Sequence, residues 1–354
     1  MKIAIINGVL EKEKSGYCLY KVGSYSVIER LFRLCKSHAD KVYFLVNDDS
    51  YFDYEDVIKK YNINVIFVGD NKSIEESVIG FYTDQDILYF VDCNVFLDEK
   101  VLEDFYFESI DLFDAREECV VSVRIGKNVR LNDNVKKEFI DGSVTIDTPN
   151  KYSDLVKNFY IKNALNFIDK GVNVMDVYNT YIDDEVVIEE GVVVYPNSHV
   201  SGKSKIGKGT TIYSNCCIED SFIGENCFIG PFSNLKKGTD VGFKCIVGAF
   251  VELKNTVLRN NVKVKHHAYL GDGLVGDNCN VGCGTIFANY DGKEKHKTVI
   301  GDNCFIGSNV TIVAPCSIGE GSVIAAGSTI VENVKDYSLA IARARQVNKI
   351  DYYK

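Results

Sequence analysis

From residue 182 onward the chain repeats a branched apolar residue every six positions: Ile182, Ile188, Val194, Val200, Ile206, Ile212 and Ile218. A five-residue step reaches Ile223, and the frame resumes at Ile229, Leu235, Val241, Val247 and Leu253. Short steps near Leu258 and Val275 shift it again before it closes with Ile300, Ile306, Ile312, Ile318, Ile324 and Ile330. An α-helix places residues six apart on different azimuths, and an ordinary strand ends within about ten residues. A coil with three flat sides, each one hexapeptide long, accounts for the run: the aliphatic residue points to the axis and a following glycine turns the corner.

Twelve cysteines would suggest a disulfide framework in a short secreted chain, but here they are spread over 354 residues without zinc-ligand spacing. Cys216, Cys227, Cys245, Cys279, Cys304 and Cys316 each lie two residues before an axis residue, in the slot for small inward side chains. They are expected to pack as small hydrophobes. The repeat resembles the hexapeptide pattern of the left-handed parallel β-helix; its hand is taken from that resemblance, because a period alone does not set handedness.

Residues 1 to about 170 follow another rule. Strand-like runs "KIAII", "KVYFLV", "NVIFVG", "DILYFVD" and "CVVSVRI" alternate with the helical patterns "SVIERLFRLCKSHA", "SIEESVIGFYT" and "EKVLEDFYFESI". Such alternation predicts a doubly wound α/β domain with a mainly parallel sheet. The stretch "KYSDLVKNFYIKNALNFIDKG" predicts a linking helix. The expected organisation is an α/β domain over 1–170, a linker over 171–181, an all-β coil over 182–335 and a tail over 336–354, with the break between Gly171 and Ile182. Fifty acidic against forty basic residues, a net charge of −10, argue against a partner such as nucleic acid or anionic lipid. The N-terminal apolar run is far shorter than the ~20 residues of a membrane span and lacks a signal cleavage site, so a cytoplasmic location is expected.

Several ordered segments carry a more specific resemblance: "GVNVMDVYNTYIDDEVVIEEGVVVYP", "IGPFSNLKKG", "FVELKNTVL", "KHHAYLGD", "VGDNCNVGCGTIFANYDG", "VAPCSIGEGSVIAAGSTI" and "LAIARARQVNK". Together they resemble the acetyltransferase half of the bacterial bifunctional N-acetylglucosamine-1-phosphate uridylyltransferase/glucosamine-1-phosphate acetyltransferase family. A hexapeptide repeat alone would also fit other acyltransferases and some carbonic anhydrases. The resemblance implies His266 as general base, and Lys254 and Lys236 as holders of the sugar phosphate. Lys236 stands where the family has an arginine, keeping the charge but losing the bidentate fork. It further implies Tyr269 and Asn280 in the acceptor site, Asn289 and Tyr290 beside the acetyl group, and Cys283, Ser308, Ala326 and Arg343 along the acetyl-coenzyme A groove, which the tail completes. Acetyl-CoA is thus the implied co-substrate, and the assembly a homotrimer with sites at subunit boundaries.

The chemistry fits these residue types. Acetyl transfer to an amine needs a neutral nitrogen, a thioester carbonyl close to it, and donors aimed at the oxyanion. Histidine, with an unperturbed pKa of ~6.5, accepts a proton at neutral pH without permanent charge. His267, next to the base in an extended segment, is expected on the opposite side, facing the core or supporting the site. His199 and His296 are expected in solvated loops. The segment "NYDGKEKHKTVIG" breaks the six-residue frame, and an excursion from a coil is a usual place for function.

The first half departs from that family's nucleotidyltransferase-like pattern. After "KIAIING" comes "VLEKEKSGYCLYKVG": Gly8, then no glycine until Gly16, with Glu11 and Glu13 where a phosphate cradle needs glycine and cations, and only Lys12 and Lys14 to compensate. Asp92, ending "DILYFVD", matches the family's magnesium-bearing aspartate. Uridylyl transfer is therefore expected to be lost, with Mg2+ relevant only if it survives. Two other readings compete: an acyltransferase for another amino sugar or nucleotide sugar, and a non-catalytic module sensing a nucleotide sugar or docking a separate enzyme.

Overall fold

The computed structural model describes residues 1–10, 16–69, 73–78, 80–82, 85–97, 110–113, 119–125, 136–139, 143–350 and 352. The chain forms two compact units, Met1–Phe159 and Tyr160–Lys354, divided within the helix Pro149–Asp169. The division expected between Gly171 and Ile182 lies beyond the end of that helix. Segment 171–181 already belongs to the coil, because Asn173–Val174 pairs in parallel with Val193–Val194.

In the first unit the strands Lys2–Asn7, Lys41–Val46, Asn64–Phe67 and Ile87–Asp92 form a parallel sheet. Cys119–Ile125 joins it antiparallel to Ile87–Asp92, followed by Ile110–Phe113 and Lys136–Phe139. The first strand is buried on both faces, as a covered parallel sheet requires: Ala4 and Ile6 pack with Phe32, Phe44 and Tyr54, while Ile3 and Ile5 pack with Leu45, Ile66 and Leu88. The expected helix over "SVIERLFRLCKSHA" is Val27–His38, whose Ser26 and Glu29 form a reciprocal capping box. A second helix, Asp48–Tyr61, was not expected. Only Tyr54 and Ile58 are buried on it, so its apolar stripe is faint; its legible signal is the cap pair Asn47 and Ser50. The pattern "SIEESVIGFYT" is helical only over Ile74–Val78. Most of "EKVLEDFYFESI" lies outside the described residues, and Ile110 opens a strand.

The second unit is a left-handed parallel β-helix. Strands such as Val193–Val194, Thr211–Ile212 and Phe228–Ile229 stack on a first face. His199–Ser201, Cys217–Glu219 and Asn234–Lys236 stack on a second, and Val187–Ile188, Lys205–Ile206 and Phe222–Ile223 on a third. The first two faces run together as a 17-stranded sheet and the third is an 8-stranded one. All of the axis residues read from the repeat are buried, none more than 7% exposed. Near the close of the coil, Leu339–Ala340 adds one further rung on Val323–Ile324, so the tail begins as part of the solenoid.

The six cysteines of the inward slot are buried and unbridged. Their thiols also make bonds that packing alone does not require. Cys227 lies 3.0 Å from the Gly242 carbonyl, Cys279 3.0 Å from that of Gly301 and Cys304 3.1 Å from that of Gly319. Thr210, in the same column, donates to the Gly224 carbonyl at 2.8 Å. Cysteine here is a small hydrophobe that also caps a corner carbonyl. Burial pushes the Cys216 thiol up to about 11, away from the reactive thiolate.

Most corners use the left-handed backbone region. Asn261, Asn278 and Asn303 hold φ near 59°, 58° and 59° on successive coils and stack amide to amide at 3.2 Å. Asparagine tolerates this conformation and uses its side chain to tie one coil to the next.

At the start of the coil, the buried Asp183 accepts from the Tyr160 hydroxyl at 3.0 Å and from the Gly202 amide at 3.3 Å, with His199 Nε2 at 3.7 Å. His199 thus lies on a strand beside a buried carboxylate, not in a solvated loop. Burial by itself would raise the Asp183 carboxyl, but the bonds from His199, Tyr160 and Gly202 outweigh it and hold it below the usual range. A carboxyl lowered by folding stabilises fully above its unfolded value of ~3.9, and that contribution fades as pH falls through the lowered value. The thermal midpoint of the full chain is expected to fall below about pH 4, and Asp183→Asn to flatten that fall. An unchanged acid slope in the variant would contradict this.

Candidate active site on the coil

The longest strands of the coil, Ile246–Lys254 and Lys263–Gly271, run through a corner from the first face to the second. Their register pairs Ala249 with His266, Glu252 with Tyr269 and Lys254 with Gly271. One coil earlier, Lys236 pairs with Lys254. The two lysines that the resemblance assigns to a phosphate therefore lie directly above one another, about 4.8 Å apart along the stack.

Lys236 is not idle. Its ammonium lies 2.8 Å from the Glu252 carboxylate, which raises it above its usual value. Sequence reasoning assigned Glu252 no role; its place on the same outward face, two residues before Lys254, was the available signal.

The tips of Tyr269 and Asn289 both approach Gly271. A Cβ on that glycine would come 2.5 Å from the Tyr269 hydroxyl and 2.7 Å from the Asn289 amide nitrogen. Glycine leaves room here for the tips of two side chains to lie against its backbone. Asn289 is buried and donates to Asp272 Oδ2 at 2.6 Å.

His266 occupies the corner at the other end of the second face, at most about 16 Å along the strand from Gly271. Three corner hydrogen bonds, Gly284 to His267, Asn309 to Cys283 and Gly327 to Ser308, fix the register of the coils above. The strand pairings on both sides of this corner place His266, Cys283, Ser308 and Ala326 in one column on four successive coils, all exposed. Above His266 the side chains are small, which leaves a shallow track. Arg343 approaches the top of it, its Cδ 3.9 Å from where a Gly327 Cβ would stand, while the Ala342 amide donates to Ser328. Asn280 is elsewhere, outward on the first face between Lys263 and Phe305.

His267 departs from expectation. It neither faces the core nor supports the site: it is exposed, at a corner with φ 41°, and its ring stacks on Phe250 at 4.8 Å. Phe250 stacks in turn on Phe232 at 5.2 Å, both with φ near 58°. Strand alternation failed as a guide because the chain turns between the two histidines.

The excursion after Asn289 is ordered by its own residues. Asp291 accepts from the amides of Lys293 and Glu294 at 2.8 and 2.7 Å and lies 2.8 Å from His296 Nε2. The Glu294 amide, His296 and the Lys293 amide hold its carboxyl well below the usual range. His296 is therefore part of the turn, not a solvated bystander. Tyr290, exposed, donates to the Gly292 carbonyl.

In the first unit, Asp92 accepts from the Asn7 amide at 2.8 Å, at the carboxyl ends of adjacent parallel strands. Gly8 is explained by packing, because a Cβ would come 2.4 Å from the Phe44 ring. The loop residues Glu11, Lys12, Glu13 and Lys14 lie outside the described residues. No group of three or more side chains able to hold a metal occurs among the described residues.

Comparison with known proteins agrees with this reading of the coil. A family model described as "Bacterial transferase hexapeptide (six repeats)" matches residues 297–332, and "Hexapeptide repeat of succinyl-transferase" matches residues 222–251. The second unit thus carries hexapeptide repeats similar to those of these transferase models. The chain is 43% identical over 216 residues to the "Bifunctional protein GlmU" of Carboxydothermus hydrogenoformans, covering 56% of this chain and 48% of that protein. It is 43% identical over 203 residues to the GlmU of Clostridium tetani, covering 53% and 45%. Over this matched portion the chain is similar to the GlmU proteins, and it spans about half the length of the curated relatives it matches. The UDP-N-acetylglucosamine acyltransferase from Campylobacter jejuni aligns at a TM-score of 0.42 and 17% identity, over 47% of this chain and 70% of that one.

Because Asp291 holds the turn through its carboxylate, Asp291→Ala is expected to open the excursion without loosening the coil. Limited trypsin digestion should then cut faster after Lys293, Lys295 and Lys297 while the thermal midpoint holds. Equal cutting rates would show that the turn does not depend on Asp291.

Proposed function

We propose that the second unit transfers an acetyl group from acetyl-CoA to the 2-amino group of glucosamine 1-phosphate. The product, N-acetylglucosamine 1-phosphate, would feed UDP-N-acetylglucosamine and cell-wall synthesis in the cytoplasm. The observation that carries the reading is the pairing of two features on one face of a coil related to GlmU. A stacked lysine pair stands at one end, and an exposed histidine stands at the foot of a small-residue track at the other.

In this reading Lys236 and Lys254 hold the sugar phosphate, with Tyr269 beside them. The pantetheine arm lies along Cys283, Ser308 and Ala326, with Arg343 toward its far end. As the amine nitrogen attacks the thioester carbonyl, a C–N bond forms, the C–S bond breaks and His266 takes the nitrogen's proton. The departing coenzyme A sulfur leaves as thiolate, to which that proton can return. General-base help of this kind is worth ~10²–10⁴-fold in rate, and positioning supplies the rest. Asn280, on a different face from His266, fits a site built between copies of the chain. A homotrimer also fits the exposed apolar residues Phe228, Phe305, Val323 and Leu339 on that face.

We read the first unit as having lost uridylyl transfer. Packing on Phe44 accounts for Gly8, and the Asn7 bond engages Asp92, so neither residue requires a nucleotide for its explanation. A different acceptor is the second reading, favoured by the pairing of Lys236 with Glu252, which a phosphate must displace.

Purified protein should release thiol from acetyl-CoA with glucosamine 1-phosphate and no pyrophosphate from UTP with N-acetylglucosamine 1-phosphate and Mg2+. His266→Ala should lower the acetyl-transfer kcat by ~10²-fold or more; full activity in that variant would remove His266 as the base. Glu252→Gln should free Lys236 and lower the KM for a phosphorylated acceptor by ~3- to 10-fold, the scale of a single exposed charge contact. A better amine among other amino sugars would favour the second reading. A thermal shift with uridine nucleotides alone, without turnover, would favour a sensing module.

A further inference from the structure

Asp272 sits just after the strand Lys263–Gly271, at a corner of the coil with φ 50°. No role falls to it from the repeat, yet its carboxylate is engaged on both oxygens. Oδ1 accepts from the Asn255 amide and Oδ2 from the Asn289 amide, each at 2.6 Å. We propose that Asp272 is a positioning residue that acts through Asn289, a proposal that rests on the acetyl-transfer reading above.

A carboxylate only accepts hydrogen bonds, whereas a carboxamide has one end that donates and one that accepts. With Asp272 at 2.6 Å, only the NH2 end of Asn289 can face it, so the Asn289 carbonyl oxygen is turned the other way. The second donor, Asn255, prevents the carboxylate from rotating out of this arrangement. Bonds to a charged acceptor are roughly twice as strong as neutral ones, which suits a group that must suppress an amide flip.

Two features make the orientation of Asn289 consequential. Its amide nitrogen and the Tyr269 hydroxyl both approach Gly271, so its orientation bears on the group offered beside the acceptor-site Tyr269. Its backbone carbonyl accepts from the His296 amide at 2.7 Å, and Tyr290 bridges Lys295, so Asn289 is also the root of the excursion. By holding one buried amide, Asp272 sets both the group presented over Gly271 and the footing of the loop that carries Tyr290.

The test compares full-length wild type with Asp272→Asn, Asp272→Gly, Asn289→Ala and the double variant Asp272→Asn/Asn289→Ala. Asp272→Asn keeps the shape and loses the acceptor-only character. Asp272→Gly suits the left-handed corner, as Gly202 (φ 64°) and Gly238 (φ 82°) do, so the coil is retained. Each single variant should lower kcat by ~10-fold or more while the acceptor KM moves by less than ~3-fold, and the double should match Asn289→Ala within ~2-fold. A double variant whose loss is the product of the single losses, or Asp272 variants that change KM alone, would overturn the proposal. Hydrogen exchange supplies a readout independent of turnover. The His296 amide should exchange faster in Asp272→Gly, and unchanged exchange would also overturn it. An inactive wild type would remove the acetyl-transfer reading, while the exchange result would still decide whether Asp272 holds Asn289.

Discussion

The rest of the second unit depends on an axial stack of aliphatic side chains, one from each side of each coil. No single coil can bury its own inward residues; each is covered only by the coils above and below. Burial of the row from Ile182 to Ile330 therefore requires strict registry, since a slip of one position would turn inward residues outward. Registry in turn makes every outward position the member of a column, with neighbours set about 4.8 Å away. A site on such a surface is built by choosing residues one coil apart. Lys236 over Lys254, and His266 beneath Cys283, Ser308 and Ala326, are both of this kind.

Corners do the second part of the work. Most hold a left-handed residue, and the residue chosen decides what is displayed there. Asparagines give a ladder of amides, phenylalanines and His267 give a ladder of rings, and Asp272 gives a carboxylate that grips the next coil. Gly8 shows the opposite use of glycine, in which close approach and not backbone sign excludes a side chain, and Gly271 a milder form, its neighbours being the tips of two side chains. At Gly271 the approaching groups belong to the proposed acetyl-transfer site; at Gly8 the approaching ring belongs to the core. The same residue type thus argues for function in one unit and against it in the other.

Much of this was legible from residue spacing. The repeat located the axis residues, the inward slot explained six cysteines, and alternating strand and helix patterns located the first sheet. What could not be read were pairings across coils. The Asp272 bonds to Asn255 and Asn289 join residues 17 apart, a span set by irregular five- and six-residue steps. The helix Asp48–Tyr61 escaped because its buried stripe consists of only two residues, and the antiparallel run of Cys119–Ile125 because composition does not encode strand direction.

The sequence by itself determined that the second half must be a three-sided coil and which residue of each hexapeptide fills it, because only that geometry buries a period of six. Family resemblance added the hand of the coil and a set of named residues. Tertiary structure alone decided where those residues lie: the tips of Tyr269 and Asn289 at Gly271, Lys236 stacked on Lys254 and paired with the unassigned Glu252, and His266 at a separate corner below the small-residue track. The physical reason is that lateral distance between coils depends on accumulated register through each corner and excursion, a quantity that no local window of sequence contains.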